Sequence, residues 1–422
     1  MILTKGGGSM DDDWIKCTVA DACSSIDYGL TASASDNPVG PRFLRITDIV
    51  QGHIVWDSVP YVEQNVGKKY RLHDGDIVLA RTGASTGASA YVKSPPPAVF
   101  ASYLVRLQAT PEFDALFLAY YLKSTYFLDF IHSILGDKSA QPNASASTMT
   151  KAPFCAPKDI KEQRRIAHIL GTLDDKIENN RKTAKTLEAM AQAIFKSWFV
   201  DFDPVRAKMA GESRDSICKR LKLTPEILDL FPDRLVDSEL GEIPEGWHNK
   251  AISEIVKRVS VGTKYDTKKV FEIGKVPVLD QGKSGIIGYH NGTPDIHASP
   301  TNPIIIFANH TCYMRLIPYD FSVIQNVLPF YGDGVDTIWA YFATRDKISF
   351  SEYKGHWPDF ILEPVIVPSK ALTTYFRTII SDLISAIFVA DAMNEPISKT
   401  RDTLLPKLIS GELRVSDPAL LI

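Results

Sequence analysis

The sequence predicts an α+β chain in which two similar mixed α/β modules are separated by two long helices that form an antiparallel coiled coil. Three observations carry this. Stretches rich in glycine, proline, threonine, valine and aromatics, at residues 14–157 and 247–370, each give way to a long helical stretch. In both helical stretches, apolar or small residues recur at alternating spacings of four and three. The first seam is Ile166, Leu170, Leu173, Ile177, Asn180, Ala184, Leu187, Ala191, Ile194 and Trp198; the second is Phe376, Ile380, Leu383, Ile387, Ala390, Asn394, Ile397, Arg401, Leu404 and Leu408. The two seams are displaced by 210 residues, a whole number of heptads.

Residues 1–13, with Gly6-Gly7-Gly8-Ser9, read as a flexible leader. Residues 14–157 carry short alternating runs such as Gly75-Asp76-Ile77-Val78-Leu79-Ala80, closed by Thr82-Gly83, and read as mostly β with one aromatic helix near 112–135. Residues 158–200 hold one glycine and no proline, and the 3.5-residue seam over more than four heptads is what a coiled coil or long helix pair produces. Residues 201–246 form a connector broken by Asp203-Pro204, Thr224-Pro225, Phe231-Pro232 and Ile243-Pro244. The second module, 247–370, opens with Trp247 as the first opens with Trp14, and its run Ile304 to Asn309 parallels Ile77 to Arg81. Residues 371–415 form the second helix, which Pro396 and Pro406 should kink or interrupt, and 416–422 are a tail.

Each seam spans 33 positions, or about 50 Å at 1.5 Å per residue, and cannot bury its stripe alone. Pairing the helices antiparallel solves this and would place the modules at opposite ends of a rod, with Asn180, Asn394 and Arg401 as polar seam positions that fix register. The alternative is that each helix lies on its own module, which normally goes with a wider apolar stripe.

The 422 residues are 45% hydrophobic and 23% charged, which excludes general disorder. With 47 basic against 50 acidic residues the net charge is −3, so any nucleic-acid role needs local basic surfaces. No apolar run is long enough for a membrane span and no signal peptide pattern opens the chain, so a soluble, cytoplasmic protein is expected. Five scattered cysteines without C-x2-C spacing argue against a disulfide framework or a zinc site, and nine dispersed histidines show no metal spacing.

Catalytic patterns fail residue by residue. Ser94-Pro95-Pro96-Pro97 and Asn302-Pro303-Ile304 lack the Asn/Asp-Pro-Pro-aromatic arrangement of an amino methyltransferase. Pro358-Asp359 is followed by Glu363-Pro364-Val365 without the lysine a nuclease needs, and Asp174-Asp175-Lys176 reads as charge on the solvent side of the first helix. Gly282-Lys283-Ser284 resembles the end of a phosphate loop, but Pro277 stands where its first glycine belongs. Gly83 and Gly87 are not followed by a helix of the register a dinucleotide fingerprint requires.

Three long strings carry a family resemblance. Asp159-Ile160-Lys161-Glu162-Gln163-Arg164-Arg165-Ile166-Ala167, running into a helix that ends Phe195-Lys196-Ser197-Trp198-Phe199-Val200-Asp201-Phe202-Asp203-Pro204, resembles the central conserved region of type I restriction-modification specificity subunits. Leu230-Phe231-Pro232-Asp233-Arg234 through Ile243-Pro244-Glu245-Gly246-Trp247 is similar to the approach to that family's second target recognition domain. Leu405-Pro406-Lys407-Leu408-Ile409-Ser410-Gly411-Glu412-Leu413-Arg414-Val415 resembles the end of its distal conserved helix, while residues 371–400 match less well.

The resemblance implies a non-catalytic DNA-specificity subunit. Each of two target recognition domains would read one half of a bipartite site on double-stranded DNA, and the helices would set the unread spacer and dock two methyltransferase subunits, through which restriction subunits join. It also implies that this chain binds no cofactor, with S-adenosylmethionine, ATP and Mg on the partner subunits. A protein-binding scaffold with two globular modules is the alternative.

Base and phosphate contacts need cationic, amide and hydroxyl side chains on loops. The candidates are Lys68, Lys69 and Arg71; Arg81 with Thr82, Ser85 and Thr86; Lys138 with Gln141; Lys264, Lys268 and Lys269; Lys283; His310 with Arg315; and Lys354.

Overall fold

The computed structural model describes residues 3–5, 13–50, 52–63, 67–135, 143–263, 265–282, 285–352 and 354–415; the candidates Lys138, Gln141, Lys264 and Lys283 lie outside the described residues. The chain divides into two compact units, Met1–Asn179 with Asn394–Ile422, and Asn180–Met393. Each unit therefore contains one module and half of each long helix.

In the first unit, four antiparallel strands lie in the order Cys23–Tyr28, Leu104–Ala109, Ile77–Ala80 and Ser89–Tyr91. The strand Ile77–Ala80 is buried along its whole length, which is why its four apolar residues do not alternate with polar ones. Trp14–Thr18 pairs with Pro153–Pro157 in a separate ladder. The aromatic segment forms two helices, Ala115–Tyr121 and Thr125–Leu135, rather than one. The break falls where Ser124 turns its hydroxyl onto the Tyr121 carbonyl at 2.6 Å, competing with helical bonding. Phe117, Phe127 and Phe154 then fill a core that also takes Ile166 and Leu170 from the first long helix and Leu408 and Ile409 from the second.

Leu3–Lys5 is a strand paired antiparallel with Leu413–Val415, so its backbone groups gain ladder partners. Just before that strand, Gly411 sits at φ +74° with the Trp14 ring where a Cβ would be, 2.8 Å from Cζ2. Glycine alone meets both conditions without strain.

The second unit repeats the plan. Val256–Arg258, Val327–Gly332, Ile304–Ala308 and Met314–Ile317 take the same order, and His248–Ala251 pairs with Pro364–Val367 as Trp14–Thr18 does with Pro153–Pro157. After the second strand of each four-stranded sheet comes an aspartate-capped helix. Asp114 accepts from Phe117 N at 2.9 Å, and Asp336 accepts from Ile338 N at 2.8 Å. The backbone N–H of each cap residue is held in turn by a fully buried polar side chain of a long helix. Asp114 N donates to Gln163 Oε1 at 2.8 Å and Asp336 N to Thr373 Oγ1 at 3.1 Å, and Gln163 and Thr373 are separated by the same 210 residues as the seams.

The connector is part of this second core. Its helices Asp203–Met209, Arg214–Leu221 and Pro225–Leu228 contribute Val205, Ile217 and Ile227 beside Trp247, Trp339 and Phe376.

The long helices are Ile160–Phe199 and Lys370–Ile409, 40 residues each. Every seam residue is buried or half-buried. Within the first unit Glu162 pairs with Arg414 at 3.0 Å and Asp174 with Arg401 at 2.6 Å, so numbers rise along one chain segment as they fall along the other. Within the second unit Phe195 meets Phe376 edge-on at 5.7 Å, while Ala184 and Glu188 share a cavity wall with Phe388 and Asp391. The helices thus run antiparallel in each unit.

Three expectations are corrected here. The buried face is wider than a coiled-coil seam, since Gln163, Ala167, Ile169, Asp174, Phe195 and Phe199 join it. Each half-helix packs on its module and on the other helix together, so the two alternatives are not exclusive. Asp174 is accordingly not on the solvent side: it is 8% exposed and accepts from Tyr120 Oη at 2.7 Å as well as from Arg401. The second helix also runs without interruption through Pro396 and Pro406, although each ring removes one N–H donor.

Candidate nucleic-acid interface

Equivalent hairpins bring candidate side chains to the surface of each module. In the first, Ile77–Ala80 turns into Ser89–Tyr91 with register Leu79↔Ser89, and residues 81–88 form the turn. In the second, Ile304–Ala308 turns into Met314–Ile317 with register Phe307↔Met314, and residues 309–313 form the turn. The buried strands anchor both turns, so the turn residues are positioned by the sheet.

Arg81 is fixed from four sides. Its backbone N–H donates to the Tyr103 carbonyl at 3.1 Å and its carbonyl accepts from Ala144 N at 3.0 Å. Its guanidinium lies over the Tyr28 ring, 5.1 Å from the centroid, and donates through Nη2 to Asn143 Oδ1 at 3.3 Å. Thr82 is bridged to Asn143, Gly83–Ser85 forms a short 3-10 turn, and Thr86 donates its hydroxyl to the Gly83 carbonyl at 2.8 Å. Gly83 and Gly87 adopt positive φ, +73° and +93°, and a Cβ at Gly87 would lie 3.0 Å from Ile131 Cγ2. The loop is therefore a built turn.

Elsewhere in the first unit, Lys68 and Lys69 lie on the 3-10 turn Lys68–Tyr70, and Lys69 Nζ sits 4.7 Å from the Tyr70 ring centre. Arg71 bridges to Val99, one position along the strand from Ala98, which pairs with Arg42; the Arg42 guanidinium stacks on Tyr61 at 4.2 Å. Cations stacked on aromatics form one patch here, separate in sequence from the Arg81 turn.

In the second unit, His310 N donates to Gln281 Oε1 at 3.1 Å, and His310 Nδ1 lies 2.9 Å from the Lys354 carbonyl. A carbonyl only accepts, so the proton is on Nδ1. Thr311 Oγ1 donates to the Gln281 carbonyl at 3.0 Å, and Asn309 Oδ1 accepts from Trp357 N at 2.8 Å. Three segments far apart in sequence meet at this turn. Lys354 Nζ sits between Glu352 and Asp359, at 3.1 and 3.2 Å, and these carboxylates hold its ammonium above the usual lysine range while cancelling its outward charge.

Arg315 is not brought into that cluster. It is half-buried in a cavity of about 260 Å³ whose walls include Tyr313, Glu188, Arg345 and Asp391. Lys268 and Lys269 lie apart as well, beside Asp266, which accepts from Lys268 N at 2.9 Å.

The residues that sequence reasoning missed are Tyr28, Tyr103, Asn143, Arg42, Gln281 and Asn309. Their only signal is the exposure of two aromatics, Tyr28 at 45% and Tyr103 at 61%, which no sequence pattern reveals. Chemically, the clusters offer forked donors, amides and hydroxyls on fixed turns.

Comparison with known proteins agrees with this architecture. A family model described as the type I restriction modification DNA specificity domain matches residues 13–189. The type I restriction enzyme HindI specificity subunit of Haemophilus influenzae is 23% identical over 95% of this chain and all of its own length. The MjaIX specificity subunit of Methanocaldococcus jannaschii is 25% identical over 71% of this chain and 69% of its own. The crystal structure of a type I restriction-modification S subunit from M. genitalium shares the fold, with a TM-score of 0.50 and 15% identity, covering 94% of this chain and 96% of that one.

Proposed function

The chain belongs to the type I restriction-modification specificity subunits, and on that footing we propose that it is the non-catalytic component that gives such a complex its DNA sequence. Each module reads one half of a bipartite site on double-stranded DNA. The helices set the unread spacer and dock two methyltransferase subunits, through which restriction subunits join. S-adenosylmethionine, ATP and Mg act on those partners, in the cytoplasm.

The observation that carries this reading is the internal repeat. Two sheets of the same strand order, each followed by an aspartate-capped helix held by a buried polar residue of a long helix, are two copies of one device. A protein with two copies of a reader suits a site with two halves. The candidate contacts are Lys68, Lys69, Arg71, Arg81, Thr82, Ser85 and Thr86 in the first module, and Lys268, Lys269, His310, Arg315 and Lys354 in the second. With a net charge of −3, the isolated chain should hold DNA weakly, and the partners complete the phosphate contacts.

Methylation mapping of DNA from cells that carry this chain with its methyltransferase partner tests the proposal. The expected result is one interrupted motif, modified in both halves. A complex that assembles yet methylates no defined sequence and leaves no footprint would overturn it and favour a protein-binding scaffold.

A further inference from the structure

Resting on that reading, we infer that Arg81, Asn143 and Tyr28 form one composite reader in the first module, and that its target is a guanine presented in the major groove. Arg81 Nη2 donates to Asn143 Oδ1 at 3.3 Å, and the Tyr28 ring lies under the guanidinium at 5.1 Å. Arginine has no acceptor atom, so the amide must turn its oxygen inward.

That contact turns the Asn143 carbonyl oxygen, the acceptor of the pair's side chains, toward the guanidinium. The outward chemistry of Arg81 and Asn143 is therefore led by donors: the remaining guanidinium N–H groups and the amide Nδ2. Arg81 Nε is buried without a partner and faces away from solvent, which leaves the end of the fork, Nη1 and Nη2, as the reading edge. Guanine is the base whose major-groove edge offers two acceptors, O6 and N7, at a fork's spacing. Adenine presents one acceptor, N7, beside the N6 amino donor, so an end-on fork of two donors matches its edge at one point only.

Pre-organisation separates Arg81 from the surface cations. Its backbone is bonded on both sides, to Tyr103 and Ala144, and Asn143 is tied to Thr82 by a bridge, so neither end of the pair is left to find its place on binding. A flexible lysine that finds a phosphate needs none of this. Tyr28 is itself anchored, since its hydroxyl accepts from Ala146 N at 2.9 Å. Asn143 and Tyr28 are thus positioning residues for Arg81.

The test uses the full chain with its methyltransferase partner, comparing Arg81→Lys, Asn143→Ala and Tyr28→Leu with the parent. Methylation motifs and competition binding against single-base variants of the parent's site are the readouts. Arg81→Lys keeps the charge and loses the fork, so discrimination for one guanine in one half-site should fall about tenfold or more, with the other half unchanged. Asn143→Ala and Tyr28→Leu should relax the same position to a lesser degree. Uniform weakening on all sequences with the motif intact would make Arg81 a phosphate contact and overturn the inference, as would an unchanged motif or a relaxed position that is not guanine. A parent complex that recognises no sequence would instead overturn the proposed function itself.

Discussion

Arg401 donates through Nη1 to Asp174 Oδ1 at 2.6 Å, joining the two long helices within the first unit at a site where Tyr120 also donates to the same carboxylate at 2.7 Å. The Asp174 side chain is 10% exposed and that of Arg401 22%, so solvent screens the pair only weakly. Replacing Arg401 by leucine leaves the carboxylate in place without its main hydrogen-bonded cation. We expect a loss of about 3 kcal/mol in urea unfolding. A loss below about 0.5 kcal/mol would mean that the pair behaves as an exposed one.

The same cluster gives the protein a pH dependence. Burial by itself would raise Asp174, but Lys123, Arg401, Tyr120 and His53 outweigh it and hold the carboxyl below its ordinary 3.8. A depressed carboxylate stabilises the fold fully above its unfolded value and loses that contribution as pH falls through the folded one. Burial also holds the Lys123 ammonium below its ordinary 10.5, with Arg401 adding to the effect and Asp174 opposing it. The unfolded chain then binds a proton at Lys123 that the folded chain gives up sooner, so folding is disfavoured as pH drops through the window beneath 10.5. The stability of the parent minus that of Lys123→Met should therefore rise as pH increases toward 10.5, and that of the parent minus Asp174→Asn should fall as pH drops below 3.8. Urea midpoints at these pH values decide it; a flat difference in both windows would place the charges in solvent.

The helices were legible because a four-three spacing survives whatever lies against it, and the repeat was legible because a displacement of 210 residues needs no knowledge of contacts. Asp174 was misread for a definable reason. It follows seam residue Leu173, and a narrow seam would turn it outward, whereas the module covers this flank with Tyr120 and His53. Residue types alone single out the turn at Arg81 as a candidate, but they do not show its organisation, because Asn143 lies 62 residues away and Tyr28 on another strand. Nor could the sequence show that the cap residue Asp114 leans on Gln163, 49 residues on. Partners brought together by folding leave no local pattern.

Gln163 and Thr373 should respond to substitution unequally although they hold the same place in the repeat. Gln163 accepts from Asp114 N and donates to the Pro157 carbonyl at 2.8 Å and the Glu112 carbonyl at 3.3 Å, so Gln163→Ala strips three backbone groups of a partner, one buried and two half-buried. Thr373 accepts from Asp336 N and donates only to Lys370 O. Each orphaned buried group costs about 1 to 3 kcal/mol, so Gln163→Ala should destabilise by about 3 kcal/mol or more and Thr373→Val by about 1 to 2. Thermal unfolding of the two variants checks the order, and the reverse order would mean that the helix ends relax to admit water.

The proposed role of the helices as a spacer gauge makes a quantitative claim. Both are 40 residues long and run antiparallel within each unit, so lengthening one alone would shift every seam pairing beyond the insertion. Adding one heptad to both, near Asn180 and Asn394, preserves the seam and adds about 10 Å at 1.5 Å per residue. At about 3.4 Å of duplex per base pair, the unread spacer should grow by about three base pairs while both half-sites stay the same. A single-helix insertion should instead disrupt assembly, because it moves apolar seam residues out of register. Methylation mapping with the doubly lengthened chain reads the result directly. An unchanged spacer in an active complex would show that DNA is gauged by the partner subunits and not by these helices.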